Sequence, residues 1–232
     1  NSLPNDMAVY IASTLEVADV CSLGSCSRYW REICCSDSVW WALYRDRWPE
    51  FSAGVGFSSQ GWRGMYISKH NEMASKAESL KQFLERAASY ESLEVGNYSK
   101  AIQLLNSMRF EFKDVQIFFL KPSLCVLLNV VALHYCILCL NLPAEDLIEA
   151  LSRCSVSERQ VCVQWWKLGR WFYGFRLRDE MHSRNVSLRD LAATGGEEVL
   201  RVLHRGAIHE VIRVQILTPK QPTHASWSHQ QA

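Results

Sequence analysis

What this sequence lacks first is an excess of either charge: 25 Lys and Arg face 24 Asp and Glu, for a formal net charge of +1 over 232 residues. A protein that binds nucleic acid generally must neutralise many phosphates and carries a basic surplus to do so. That class is disfavoured here, although a local basic patch is still allowed. Catalytic signatures are missing as well. There is no Gly-x-Ser-x-Gly elbow, no P-loop and no dinucleotide glycine fingerprint. His204 and His209 lie five positions apart, whereas a metal-binding helix face wants four. No repeat of steady period is present, which argues against solenoids and propellers. No basic-then-apolar leader opens the chain, whose first residue is Asn1.

What is present is ordinary globular composition, 48% hydrophobic and 21% charged. At roughly 150 residues per domain, the length suggests one large domain or two small ones. Nine cysteines is an odd number, and Cys34 and Cys35 are neighbours. Reduced thiols serving as small apolar side chains account for this better than a disulfide framework, which points to an intracellular, cytoplasmic or nuclear protein.

The nine tryptophans cluster. Trp30, Trp40, Trp41, Trp48 and Trp62 lie near the start, and Trp165, Trp166 and Trp171 form a second group. Between Pro49 and Trp62 the chain is rich in Gly and Ser, which is loop chemistry. A boundary is expected there, with Trp48 and Trp62 as a possible clamp between modules. The expected division is residues 1–50, a connector over 51–72, a helical domain over 73–216 and a disordered tail over 217–232.

In the longer module Met73, Ala77, Leu80, Leu84 and Ala87 recur at helical spacing, as do Val161, Trp165, Leu168, Phe172 and Phe175. Pro143 suits a helix start, Ser187 can cap Leu188 to Ala192, and Glu197 and Glu198 open another helix. Arg109 to Phe119 is ambiguous between helix and strand. The fold class expected from these patterns is all-α.

The first fifty residues are more specific. Leu3-Pro4-Asn5-Asp6 precedes an apolar helix through Val9, Ile11 and Leu15. Asp19 can cap a second helix carrying Val20 and Leu23. Ser27-Arg28-Tyr29-Trp30-Arg31 follows, then Val39-Trp40, Leu43 and Trp48-Pro49. Three short helices of this size cannot bury so much apolar surface internally, so an interface is expected.

The order of these fragments resembles the F-box motif. Asp19-Val20 stands where Asp-Leu is usual, Val39-Trp40 where Leu-Trp is usual, and Cys26 at a position often held by Val. The resemblance implies a three-helix F-box module over the first fifty residues, and the helical spacings of the longer module place an irregular multi-helix domain after it. It further implies a Skp-type adaptor as partner and, through it, a cullin scaffold. The implied adaptor contacts are Leu3, Pro4, Ile11, Leu15, Val20 and Leu23, with Trp30 and Trp40 in or beside them. Function would then be substrate recognition for an SCF-type ubiquitin ligase, without bond chemistry of its own. The alternative is an F-box scaffold that delivers no substrate.

Three other features invite chemistry. Cys136 and Cys139, with His134 upstream, have metal-ligand letters but no second pair, so buried thiols are expected and no metal or cofactor. Ser123 to Leu142 carries no formal charge over twenty residues. A central helix accounts for it without a membrane partner. Basic and aromatic residues interleave from Trp165 to Arg189. They read either as a helix with one core face and one solvated face or as a surface for a protein target, in which case Trp166, Arg170, Trp171, Tyr173 and Arg176 are the candidates. No nucleic-acid partner is expected.

Overall fold

The computed structural model describes residues 3–49, 61–88, 92–193, 197–206 and 210–218. The expected Gly/Ser loop over 51–60 and the tail beyond 218 lie outside the described residues. Five helices open the chain: α1 (Asn5–Thr14), α2 (Val17–Cys26), α3 (Arg28–Cys34), α4 (Asp37–Arg47) and the long α5 (Gly61–Ala87). Two compact units are formed, Asn1–Glu78 and Ser79–Ala232, and the division falls within α5.

Pro4, with φ −56°, sits at the N-cap of α1, where its missing N–H costs nothing. Only Ser27 separates α2 from α3. Its backbone is extended, and its hydroxyl accepts the Trp30 N–H at 3.2 Å. The first module therefore has four helices where three are expected. Ala8, Ala12, Val20, Ile33, Val39, Trp40 and Leu43 fill its interior. The buried Trp40 indole donates to the Cys34 carbonyl at 2.8 Å. Gly24, which is unfavourable on helix propensity alone, faces α3; a Cβ there would lie 3.3 Å from that of Cys34.

Aromatic rings continue from this core. Trp40 meets Tyr66 at 5.4 Å between centroids, Tyr66 meets Trp48 at 5.1 Å, and Trp48 meets Tyr44 at 5.1 Å. The buried Arg47 guanidinium lies 4.5 Å from the Trp48 ring centre and donates to the Tyr66 hydroxyl at 2.7 Å. Trp62 also contacts Tyr44, at 5.6 Å. Trp48 and Trp62 thus share Tyr44 inside the first unit.

The second unit corrects the all-α expectation. It contains β1 (Ser92–Glu94), α6 (Val95–Met108), α7 (Phe112–Phe118), α8 (Val126–Leu138), α9 (Ala144–Arg153), β2 (Gln160–Lys167), β3 (Trp171–Phe172), β4 (Phe175–Arg176), β5 (Glu180–Ser187), α10 (Leu188–Ala192), α11 (Glu197–Arg205) and β6 (Val211–Leu217). Four strands make an antiparallel sheet in the order β1-β6-β2-β5, and β3 pairs with β4 in a second, two-stranded sheet. The protein is mixed α/β.

The correction falls where helical and strand spacings coincide. Val161, Trp165, Leu168, Phe172 and Phe175 satisfy a helical count, but Val161, Val163 and Trp165 also alternate with Gln160, Cys162 and Gln164. The alternation prevails: Val161, Val163 and Trp165 are buried with Val186, Val214, Ile216 and Leu93 on one sheet face. Leu168, Phe172 and Phe175 are exposed, so they form no core stripe.

Helix α8 is the centre of the second unit, buried on all sides from Val126 to Cys136. It takes up the uncharged stretch, and among the described residues no helix is long and apolar enough to cross a membrane. The helices expected at Met73–Ala87, after Pro143, after Ser187 and from Glu197 all form. Ser187 accepts the Asp190 N–H at 3.0 Å as its cap. The ambiguous Arg109–Phe119 stretch is helical over α7, whose start is closed by a reciprocal capping box between Glu111 and Asp114.

Candidate functional site

Helix α1 is amphipathic in an unusual sense, with small residues inward and large apolar ones outward. Ala8 and Ala12, one turn apart, are fully buried. Met7, Tyr10 and Ile11, at helical spacing on the other face, are 53%, 66% and 37% exposed. Alanines inside let α1 pack closely on α3 and α4. Leu3 and Pro4 extend the exposed strip at its start, and Leu3 is held there by its carbonyl, which accepts the Tyr29 hydroxyl proton at 2.8 Å.

Of the eight residues implied as adaptor contacts, Leu3, Pro4 and Ile11 are exposed. Leu15, Leu23 and Trp30 are half-buried, and Trp30 stacks edge-on with Tyr29 at 5.6 Å. Val20 and Trp40 are buried in the module and support the face from beneath. Met7 and Tyr10 belong to the exposed strip and escaped the sequence reading. No local signal marks them, because large apolar residues at positions 7, 10 and 11, spaced i, i+3 and i+4, read equally as an inward face.

Chemistry of the thiols is subdued. Burial, with Cys35, Cys21 and Cys26 nearby, pushes the Cys34 thiol up. Of the two thiols expected to be buried, Cys136 is buried and Cys139 is exposed. Burial raises Cys136 strongly and partial desolvation raises Cys139, which disfavours the thiolate forms that bind metal or attack electrophiles.

The second unit carries the other exposed apolar feature. Beyond Lys167 the β2–β5 hairpin continues as a narrow arm, β3 and β4, closed by Tyr173 and Gly174 with φ of 47° and 84°. Both central residues are left-handed, the type I′ turn that suits a two-residue hairpin. At the arm's base Gly169 is obligatory, because a Cβ there would lie 2.0 Å from the Leu177 carbonyl oxygen. The Asp179 carboxylate accepts from the Gly169 N–H at 2.9 Å and from Arg176 at 2.8 Å, and these contacts hold it below its ordinary range.

The proposed target contacts separate into two places. Trp171 faces Arg176 across the arm and Tyr173 caps its turn, while Arg170 at the base contacts Glu210 at 3.3 Å. Trp166 lies instead on the outer sheet face, half-buried, with the Arg213 guanidinium 5.1 Å from its ring centre. Arg213 is itself fixed by Glu94 at 2.5 Å.

Comparison with known proteins bears on the first unit. The F-box-like family model matches residues 1–46, the segment that holds α1, α2, α3 and nearly all of α4. No curated protein and no solved structure matches the chain. The first 46 residues of this chain are therefore an F-box-like domain, with the outward apolar strip of α1 on its surface.

Proposed function

We propose that the protein is the substrate-recognition subunit of an SCF-type ubiquitin ligase, with the adaptor bound at the first unit and a protein target at the second. The observation that carries the reading is the reversed amphipathicity of α1 inside a matched F-box-like domain. Large apolar side chains aimed at solvent from a small module mark a surface built to be covered. The adaptor contacts are Leu3, Pro4, Ile11, Leu15, Leu23 and Trp30, joined by Met7 and Tyr10. A cullin scaffold follows through the adaptor.

On this reading the protein supplies proximity. It holds a target near a ubiquitin-loaded conjugating enzyme and raises the effective concentration of its lysines, with no group in the chain reacting. Target contact falls to the second unit, where the Trp166 and Arg213 platform on the outer sheet face offers an aromatic-and-arginine anchor.

Co-expression with a Skp-type adaptor, followed by size-exclusion chromatography, tests the first half. A stable one-to-one complex is expected, and two separate peaks would overturn the reading. A reconstituted ligase supplied with co-purified clients tests the second. Client ubiquitination supports substrate delivery, whereas an assembled complex that leaves its clients unmodified indicates a scaffold.

A further inference from the structure

We infer that the β3–β4 arm is a membrane-interface anchor: Trp171, Phe172, Tyr173 and Phe175 enter the headgroup–acyl boundary of an anionic bilayer, while Arg170, Arg176 and Arg178 engage lipid phosphates. Trp171, Tyr173 and Phe175 are 73%, 88% and 78% exposed. Exposure of this extent at three neighbouring aromatics is atypical, since large rings at such positions usually find cover.

Geometry favours a bilayer over a protein cleft. Trp171 pairs with Arg176 across the arm, and Phe172 pairs with Phe175. Adjacent positions on a strand point to opposite faces, so aromatic rings project from both faces, with Tyr173 edge-on to Phe172 at 4.4 Å at the end. A folded partner docks against one face of such a ribbon. A bilayer interface surrounds the tip on every side, and Trp and Tyr concentrate at that depth.

Charge is placed at the matching height. Arg170 lies three residues behind Tyr173, about 10 Å at the rise of a strand, comparable to the depth of roughly 5–10 Å to which interfacial segments sink. Arg176 contacts Asp179, and Arg170 contacts Glu210, each through one nitrogen of a five-donor group. Both pairs are solvent-accessible and therefore weak, so exchange for a lipid phosphate costs little. The arm is short, with two paired rungs and a further Leu177 N–H to Arg170 carbonyl bond at 2.9 Å, and its outward backbone groups stay at a depth where water and headgroups satisfy them. That no helix among the described residues is long and apolar enough to span a bilayer does not bear on an anchor of this kind. The inference is independent of the ligase reading, and it assigns Arg170, Trp171, Tyr173 and Arg176 to lipid instead of to a protein target.

Co-sedimentation of the full chain with vesicles tests it, using phosphatidylcholine alone and phosphatidylcholine with phosphatidylserine at roughly 3:1. Binding to the serine-containing vesicles and little binding to the neutral ones is expected. Trp171→Ala with Phe175→Ala should weaken that binding at least about tenfold, as should Arg170→Glu with Arg178→Glu. These side chains are exposed, so unchanged circular dichroism certifies the folds. Failure of the native chain to sediment with either vesicle overturns the inference, as does undiminished binding by the aromatic variant. Loss of target ubiquitination in that variant without any vesicle binding also overturns it and makes the arm a protein-docking element. Adaptor binding is measured in parallel; its absence beside intact vesicle binding would remove the ligase reading and leave the anchor standing.

Discussion

Tyr98 and His134 share a hydrogen bond of 2.8 Å between Oη and Nδ1, deep in the second unit. Burial, and secondarily His204 nearby, lowers the imidazole from its ordinary 6.5 to about 4. In the unfolded chain His134 regains the ordinary value, so between the two values the unfolded state holds more protons. Stability from this group is therefore complete above the unfolded value and is lost as pH falls from 6.5 toward 4. The full difference is about 3 kcal/mol. Urea unfolding at pH about 7 and about 5 should show the loss in the native chain, and His134→Leu should flatten it. An equal pH slope in both proteins would place the effect elsewhere.

Asn129 and Arg159 form another polar knot in the second unit. The wholly buried Asn129 amide donates to the Phe119 carbonyl at 2.6 Å, and its oxygen accepts from the Arg159 guanidinium. The same guanidinium nitrogen donates to the Leu124 carbonyl at 2.7 Å. This knot ties the chain entering α8 to the chain entering β2. Asn129→Leu strands a donor-rich group and a carbonyl, at a cost of about 2–4 kcal/mol. Arg159→Met added to it should cost less than the sum of the two single changes, because each already removes the shared bond. Chemical denaturation of the four proteins measures the coupling.

How much of this was legible beforehand differs between the units. The F-box-like fragments lie close together in sequence, and their proline and spacings are local signals, so Pro4 and the apolar positions could be read directly. The cap expected at Asp19 is displaced, since α2 starts at Val17 with Glu16 at its N-cap and Asp19 inside the first turn. Burial could not be read. Val20 and Ile11 carry the same apolar chemistry, and only tertiary packing puts one inside and the other outside. In the second unit the sheet was missed because its partners are remote. Leu93 of β1 lies opposite Ile216 of β6, and no spacing within either segment reveals a neighbour so far along the chain. The interleaved aromatics from Trp165 to Phe175 fitted a helix until exposure separated them, with Trp165 inside the sheet and Phe175 at the arm's tip.

Gly169 sets the arm's direction, since its Cα approaches the Leu177 carbonyl too closely for any side chain. Gly169→Ala should force the two arm strands apart or shift one against the other, at about 1–3 kcal/mol, confined to the hairpin. Backbone amide spectra would register the change in residues 168–179 while signals from α1 to α4 stay in place. Shifts spread over the whole protein would mean that the arm is coupled to the core more tightly than its exposure implies.

Tyr10 and Val20 separate contact from support in the F-box-like domain. Tyr10 is exposed on α1, so Tyr10→Asp should leave stability within about 0.5 kcal/mol of the native chain. A carboxylate placed at the centre of an apolar interface must be desolvated without a partner, and adaptor affinity should fall by about 2 kcal/mol or more. Ile11→Asp should behave alike. Val20 is buried among the helices, where a carboxylate would lose its hydration. Val20→Asp should unfold the module or cost about 3–5 kcal/mol, taking adaptor binding down with the fold. Calorimetric titration with the adaptor, paired with thermal melts, distinguishes the two behaviours. Native-like affinity in a folded Tyr10→Asp protein would mean that the outward strip of α1 is not where the adaptor binds.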